Sequence, residues 1–257
     1  MKDVHAAAQQ GYAVDAGRYA RGRPEYPAAL EGWLRERLGL QAGATVVDVG
    51  AGTGKFTKLV AATEAQTLAV EPVDAMREQL ARSLAAVQAL AGSAEALPLE
   101  DGSVDAVVCA QAFHWFATEA ALAEMHRVLR PGGRLGLVWN VRDESVDWVA
   151  RITEIITPLE GDVPRFYKGD WRRPFDAGSF FELPAPEVFA YQHVGTPQAV
   201  VVDRIMSVSF IAALAPAGKA RVQAALQELV DSHPALRGRQ EVAFPYRTEA
   251  YCCTRRP

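Results

Sequence analysis

Between Val46 and Val60 the chain reads VVDVGAGTGKFTKLV: an apolar run, glycines at 50, 52 and 54, a lysine, then the start of an amphipathic segment. Glycines at a strand end remove side chains where backbone must approach a ligand, and the helix that follows presents N–H groups and a partial positive charge. Three chemistries share that arrangement. A phosphate-binding P-loop, G-x-x-x-x-G-K-[ST], requires glycine where Val49 stands and Ser or Thr where Phe56 stands, which excludes it. The dinucleotide fingerprint G-x-G-x-x-G fits Gly50 and Gly52, but its third position is Lys55, with Gly54 one residue early. An adenosine cofactor without a pyrophosphate is the better fit to D-V-G-A-G-T-G. Glu71, closing the next apolar run TLAVE, is placed to accept from both hydroxyls of a ribose in either of the last two readings.

The other groups capable of chemistry are sparse. His5, His114, His126, His193 and His233 are scattered, and Cys109, Cys252 and Cys253 form no C-x-x-C pattern, so no metal site is predicted. His114, in the segment SVDAVVCAQAFHWF, is the one candidate general base, since imidazole titrates near neutrality. An odd number of cysteines points to a reducing, cytoplasmic setting. The formal net charge of -4 gives no bulk electrostatic case for nucleic acid or an anionic membrane, and no apolar run reaches membrane-spanning length.

These residues need a scaffold. Val46, Val47 and Val49 suit a buried strand; Thr67 to Glu71, VQALAG, SVDAVVCAQ and RLGLVWN supply four more. Helical patterns run over Ala28 to Leu38, Thr57 to Ala62, Asp74 to Leu84 and Ala120 to Leu129, the last stopped by RPGG, read as a turn before the fifth strand. This alternation predicts an α/β doubly wound, mostly parallel sheet. Beyond Asn140 the rhythm breaks into a segment rich in Trp, Phe, Arg and Pro. EVFAYQHV and EVAFPYRTEAYCC then read as strands, with helices from about Pro197 and Ala217 between them.

The glycine motif, AVEPVDAM, GSAEALPLEDGSVDAVVCAQAFHWF and HRVLRPGGRLGLVWN fall in the order and spacing of the class I S-adenosylmethionine-dependent methyltransferases, which this chain resembles over nearly all its length. YARGRPEYP, AFHWF and FPYRTEAYCCTRR look more narrowly similar to the subgroup that includes trans-aconitate methyltransferases and bacterial small-molecule enzymes. The resemblance implies a Rossmann-like seven-stranded sheet of order 3-2-1-4-5-7-6 with strand 7 antiparallel. Within a single domain, 1–257, it implies an N-terminal flap and helix (1–40), a cofactor-binding core (41–140) and inserted lid or pocket elements (141–186 and 197–232).

It also implies S-adenosyl-L-methionine as cofactor and S-adenosyl-L-homocysteine as product. Asp48, Gly50, Ala51 and Gly52 would lie by the methionine portion, Glu71 at the ribose, and Pro72, Ala94 and Glu95 by the adenine. Gln111 and Ala112 would line the methionine side, and Tyr19 and Arg23 would cover the cofactor. His114 and Trp115 would face the transfer site, with Arg142, Trp171, Met206 and Phe210 on the acceptor side. Arg18, Arg21, Arg142 and Arg172 are candidates for holding an acceptor carboxylate; solvent-facing arginines are the plain alternative. The expected function is methyl transfer to an O, N or C nucleophile of a small molecule by a monomer or homodimer. An NAD-dependent oxidoreductase, a cofactor-binding protein with a non-methylating role, and a macromolecular acceptor are the alternatives.

Overall fold

The structure is a computed structural model and describes residues 23–176 and 180–257; Tyr19, Arg18 and Arg21 lie outside them. Strands β1 (Thr45–Val49), β2 (Gln66–Val70), β3 (Gln88–Leu90), β4 (Val104–Ala110), β5 (Leu129–Arg142), β6 (Phe181–Glu182), β7 (Glu187–Gly195) and β8 (Val242–Arg255) form one sheet of order β3-β2-β1-β4-β5-β8-β6, with β7 also pairing β8. Setting aside the two-residue β6, β7 and β8 take the places of strands six and seven, and the expected order holds. β1 pairs in parallel with β2 and β4, β2 with β3, and β4 with β5.

Burial explains that parallel core. Val46, Val47, Val49, Ala106, Val107 and Val108 are closed off from solvent, as strands covered on both faces require. On one face α1 (Ala29–Leu38) sets Leu30, Trp33, Leu34 and Leu38 against Val46, Ala106, Val108 and Val138, each such leucine contributing about 2 kcal/mol. α1 ends at Gly39, whose φ of 71° suits a left-handed helix stop. The remaining helices of the alternation are α2 (Lys55–Ala61), α3 (Asp74–Ser83) and α4 (Glu119–Val128). The hydroxyl of Thr118 caps α4 by accepting from the Ala121 N–H at 3.1 Å.

RPGG does not precede β5 as a turn; it is folded into that strand as a bulge. Leu129 pairs with Val104 and Arg134 with Ala106, so residues 130–133 stand opposite the single residue Asp105 and the ladder is interrupted there. Gly133 is required there, because a Cβ would stand 2.9 Å from both the Asp105 and Arg130 carbonyl oxygens.

Packing divides the described chain into two compact units: residues 26–140, 164–189 and 248–257, and residues 23–25, 141–163 and 190–247. The chain passes between them repeatedly, and β5, β7 and β8 each contribute to both. In the second unit, α5 (Asp147–Ile156) buries Trp148, Val149, Ile152 and Ile156 and packs against α9 (Pro216–Ser232). A π-helical stretch, Gln198–Asp203, runs into the short helix α7 (Arg204–Met206). The α6 turn (Arg173–Asp176) belongs to the first unit and α8 (Ser209–Ala212) to the second.

Candidate active site

The three glycines of the β1–α2 turn all have positive φ, 74°, 58° and 87° at Gly50, Gly52 and Gly54, yet they serve different ends. A Cβ on Gly50 would lie 2.8 Å from the Ala112 Cβ and 3.2 Å from the Phe116 ring, so this glycine lets the turn close against the end of β4. One on Gly54 would meet Leu80 and Leu84 at 3.0 Å, so it seats α2 beside α3. At Gly52 the nearest atom would be Met76 Sδ at 3.9 Å. Gly52 therefore leaves the opening.

Glu71 ties that opening to β2. Its Oε2 accepts from the Gly52 N–H and its Oε1 from the Val73 N–H, both at 2.9 Å, and the residue is 5% exposed. Burial raises its pKa while the two backbone donors and Arg77 oppose the rise. Each carboxylate oxygen keeps a second lone pair, the pattern that receives a vicinal diol.

Asp48 is buried within β1. Its Oδ2 accepts from Thr57 Oγ1 at 2.7 Å, while Oδ1 is buried without a partner among the described residues. Burial foremost, opposed by the Thr57 hydroxyl and helped by the Glu71 charge, pushes Asp48 up to about 7. The unfolded chain releases this proton near the ordinary aspartate value of 3.8 and the folded chain near 7, so stability falls as pH rises between those values and is then level. The penalty is on the order of 4 kcal/mol at pH 8. Asp48→Asn is expected to flatten that fall in a urea titration series from pH 4 to pH 8; an unchanged slope would count against a buried, titrating Asp48.

At the end of β4, Gln111 adopts a φ of 57° that costs a non-glycine residue roughly 1 kcal/mol. Its N–H donates to the Val138 carbonyl at 2.8 Å and its side-chain Nε2 to the Asn140 carbonyl at 3.2 Å. Ala112 is buried, and the short turn Phe113–Trp115 follows. There His114 Nδ1 lies 3.2 Å from the Trp139 indole nitrogen. An indole N–H only donates, so Nδ1 is the acceptor and neutral His114 carries its proton on Nε2.

On the adenine side of the expected site, Ala94 is buried and Pro72 exposed. Glu95 Oε1 accepts from the Thr118 hydroxyl at 2.8 Å, which engages this carboxylate at the α4 cap.

The family profile "Methyltransferase domain" matches residues 47–137, the stretch holding these groups. An uncharacterised methyltransferase-like protein of Schizosaccharomyces pombe is 34% identical over 251 residues, covering 96% of each chain. An uncharacterised methyltransferase of Mycobacterium tuberculosis is 38% identical over 238 residues, covering 90% of each. The chain belongs to the methyltransferase family. A solved structure from Anaeromyxobacter dehalogenans, assigned as a type II methyltransferase, superposes with a TM-score of 0.66 at 25% identity, covering 91% of this chain and 96% of that one.

The sheet-bearing unit of this methyltransferase brings together Asp48, Gly50, Ala51, Gly52, Glu71, Gln111, Ala112 and His114 at the C-terminal ends of β1, β2 and β4, where ligands bind in open α/β sheets. Trp115 is half-buried, its ring 5.3 Å from that of His114. Trp171 is 1% exposed and packed on Trp139 at 4.5 Å, with its indole N–H given to the Phe166 carbonyl at 3.1 Å. Arg172 lies 4.3 Å from the Trp171 ring and donates to the Tyr251 hydroxyl at 3.1 Å. Both are thus committed to an aromatic cluster that backs Trp139. Arg23, Arg142, Met206 and Phe210 belong to the other unit.

Two partners of the site residues carried no signal of that role in the sequence. Thr57 and Trp139 are recognisable only through their partners, Asp48 and His114.

Proposed function

We propose that this methyltransferase moves a methyl group from S-adenosylmethionine to an O, N or C nucleophile of a small molecule. The observation that supports this best is the buried Glu71 carboxylate, aligned by two backbone N–H groups at the rim of the opening left by Gly52. When bound, the sulfonium supplies an activated methyl group open to in-line displacement. The residues of the chain orient: Glu71 takes the ribose hydroxyls, and Asp48 offers its partnerless Oδ1 toward an ammonium, directly or through water. Gly50, Ala51, Gly52, Gln111 and Ala112 bound the amino-acid portion, and Pro72, Ala94 and Glu95 lie toward the adenine. Alignment of donor and acceptor accounts for most of the acceleration.

The bond from Trp139 changes the expected role of His114. To act as a base it would have to take a proton on Nδ1, where the incoming N–H would face that of the indole. As the Nε2–H tautomer it instead donates to the acceptor and holds it. His114→Ala is expected to lower kcat about 10- to 100-fold. The shape of the kcat profile against pH is expected to be the same in the variant and the unaltered enzyme; a rising limb that vanished with the imidazole would restore the base.

Trp115, Arg142, Met206 and Phe210, with Tyr19 and Arg23 as covers, are assigned to acceptor and cofactor enclosure; Trp171 acts by bracing Trp139. The kinship with trans-aconitate methyltransferases rests on YARGRPEYP, AFHWF and FPYRTEAYCCTRR. We assign the enzyme to the cytoplasm, as a monomer or homodimer; its three cysteines are free, and no described helix is long and apolar enough to cross a membrane. Calorimetry with S-adenosylhomocysteine and with NAD tests the whole reading: micromolar binding of the first alone is expected, and binding of NAD alone would replace methyl transfer with oxidoreduction.

A further inference from the structure

Two buried carboxyl groups serve the β1–α2 turn, and the fold supplies them very differently. Glu71 receives the backbone N–H groups of Gly52 and Val73, and the Arg77 charge also favours its ionised form. Asp48 is 1% exposed and receives one donor, the equally buried Thr57 hydroxyl at 2.7 Å, while its Oδ1 is buried without a partner among the described residues. The titratable and charged groups on the elements around Asp48 do not make up the difference. Glu71, just after β2, repels its charge, and Cys109 on β4 is kept a neutral thiol by burial. Lys55 and Lys58, the cations of α2, do not offset it.

A carboxylate removed from water stays ionised when several donors or a cation hold it, and without them it keeps its proton. One hydroxyl does not meet that need. An ammonium at Oδ1 would, because it brings charge and donors together. The protonation state of Asp48 is therefore tied to the presence of such a cation.

We propose that Asp48 is a neutral acid in the ligand-free protein and gives up its proton when the ammonium of the methyl donor binds, with Thr57 as the positioning residue that holds Oδ2 and leaves Oδ1 for the cation. The O–H bond of Asp48 breaks, its electron pair stays on the carboxylate, and the proton passes to solvent. The proposal rests on the methyltransferase reading and concerns the same site, whose donor affinity it couples to pH. The ionised form binds, so affinity rises with pH while Asp48 is protonated and is level above. With Asp48 at about 7, S-adenosylhomocysteine is expected to bind about 10- to 30-fold more tightly at pH 8 than at pH 5.5. It should release about 0.9 proton per ligand at pH 6 and about 0.1 at pH 8.

Isothermal calorimetry of the full-length protein in buffers of different ionisation enthalpy counts these protons. 5′-Methylthioadenosine, which has the ribose but no amino acid, should release none, whereas a proton leaving Glu71 would appear with both ligands. Asp48→Asn should abolish the release and flatten affinity against pH. Thr57→Val removes the one donor to the ionised form and should move the rise in affinity up by about one pH unit. Thr57→Ser keeps the hydroxyl and should restore the unaltered profile. A threonine needed only for packing would lower Tm in the valine variant and leave the profile where it was, which overturns its positioning role. Binding of S-adenosylhomocysteine at pH 6 without proton release overturns the proposal. So does a release that persists in Asp48→Asn or that 5′-methylthioadenosine matches. If the asparagine variant fails to fold, the comparison of the two ligands on the unaltered protein decides. Failure of the unaltered protein to bind S-adenosylhomocysteine at any pH is a different result, and it overturns the methyltransferase reading instead.

Discussion

Glu71→Ala is expected to weaken S-adenosylhomocysteine binding by about 10² to 10³-fold, the loss of two charge-assisted hydrogen bonds of about 1.5–3 kcal/mol each, partly made up by water. The carboxylate does double duty. Its oxygens are fixed by the N–H groups of Gly52 and Val73 before any ligand arrives, so little ordering remains to be done on binding. Glu71→Gln should be nearly as poor, because the amide has one acceptor oxygen for two inward-facing donors and its NH₂ must confront one of them. Binding of 5′-methylthioadenosine, which keeps the ribose but lacks the amino acid, is expected to fall equally. Under Asp48→Asn it should not change, while S-adenosylhomocysteine binding weakens. Isothermal calorimetry on the four combinations decides the matter. A Glu71→Ala protein that is folded and binds 5′-methylthioadenosine normally would remove this residue from the ribose.

Gly50→Ala and Gly52→Ala should fail in opposite ways although a single residue, Ala51, separates them. At Gly50 the new methyl group would sit 2.8 Å from the Ala112 Cβ, an atom anchored to backbone that cannot yield, in a conformation with φ of 74°. Strain of about 1–2 kcal/mol and overpacking of about 1–3 kcal/mol add to a loss of roughly 2–5 kcal/mol. In a chain of this size that is a fall in Tm of about 10 °C. At Gly52 only the strain applies, since nothing stands closer than 3.9 Å, so the Tm should fall by about 3 °C. The Gly52 methyl would instead occupy space needed by the donor, and S-adenosylhomocysteine affinity is expected to fall by about 10²-fold. Thermal unfolding paired with calorimetry reads both quantities. A Gly52→Ala variant with normal affinity would place the ligand elsewhere on the loop.

The parallel sheet was legible because two-sided burial leaves a direct trace, the unbroken apolar runs at Val46–Val49 and Val104–Ala110. The order of its strands came from resemblance rather than from any residue pattern. Gly50, Gly52 and Gly54 were equivalent in sequence, and only the neighbours that fold back on them, Ala112 for one and Leu80 for another, show which glycine packs and which opens. RPGG was mistaken because Pro and Gly signal a break in the ladder without saying whether it lies before the strand or inside it. The role of His114 could not be read from its own segment. Its tautomer is set by Trp139, a residue from the adjacent strand whose indole could equally have served the core.

The repeated passage of the chain between its two units bears on how such an enzyme changes its acceptor over time. Neither unit is a contiguous stretch, and β5, β7 and β8 are shared, so no single genetic crossover can exchange one unit for a foreign version and leave the other whole. New acceptor preferences would therefore arise by substitution in place, one side chain after another, under the constraint that the shared strands still form. In the laboratory, libraries of point changes in residues 190–247 should retain folded members far more often than chimaeras joined at one breakpoint.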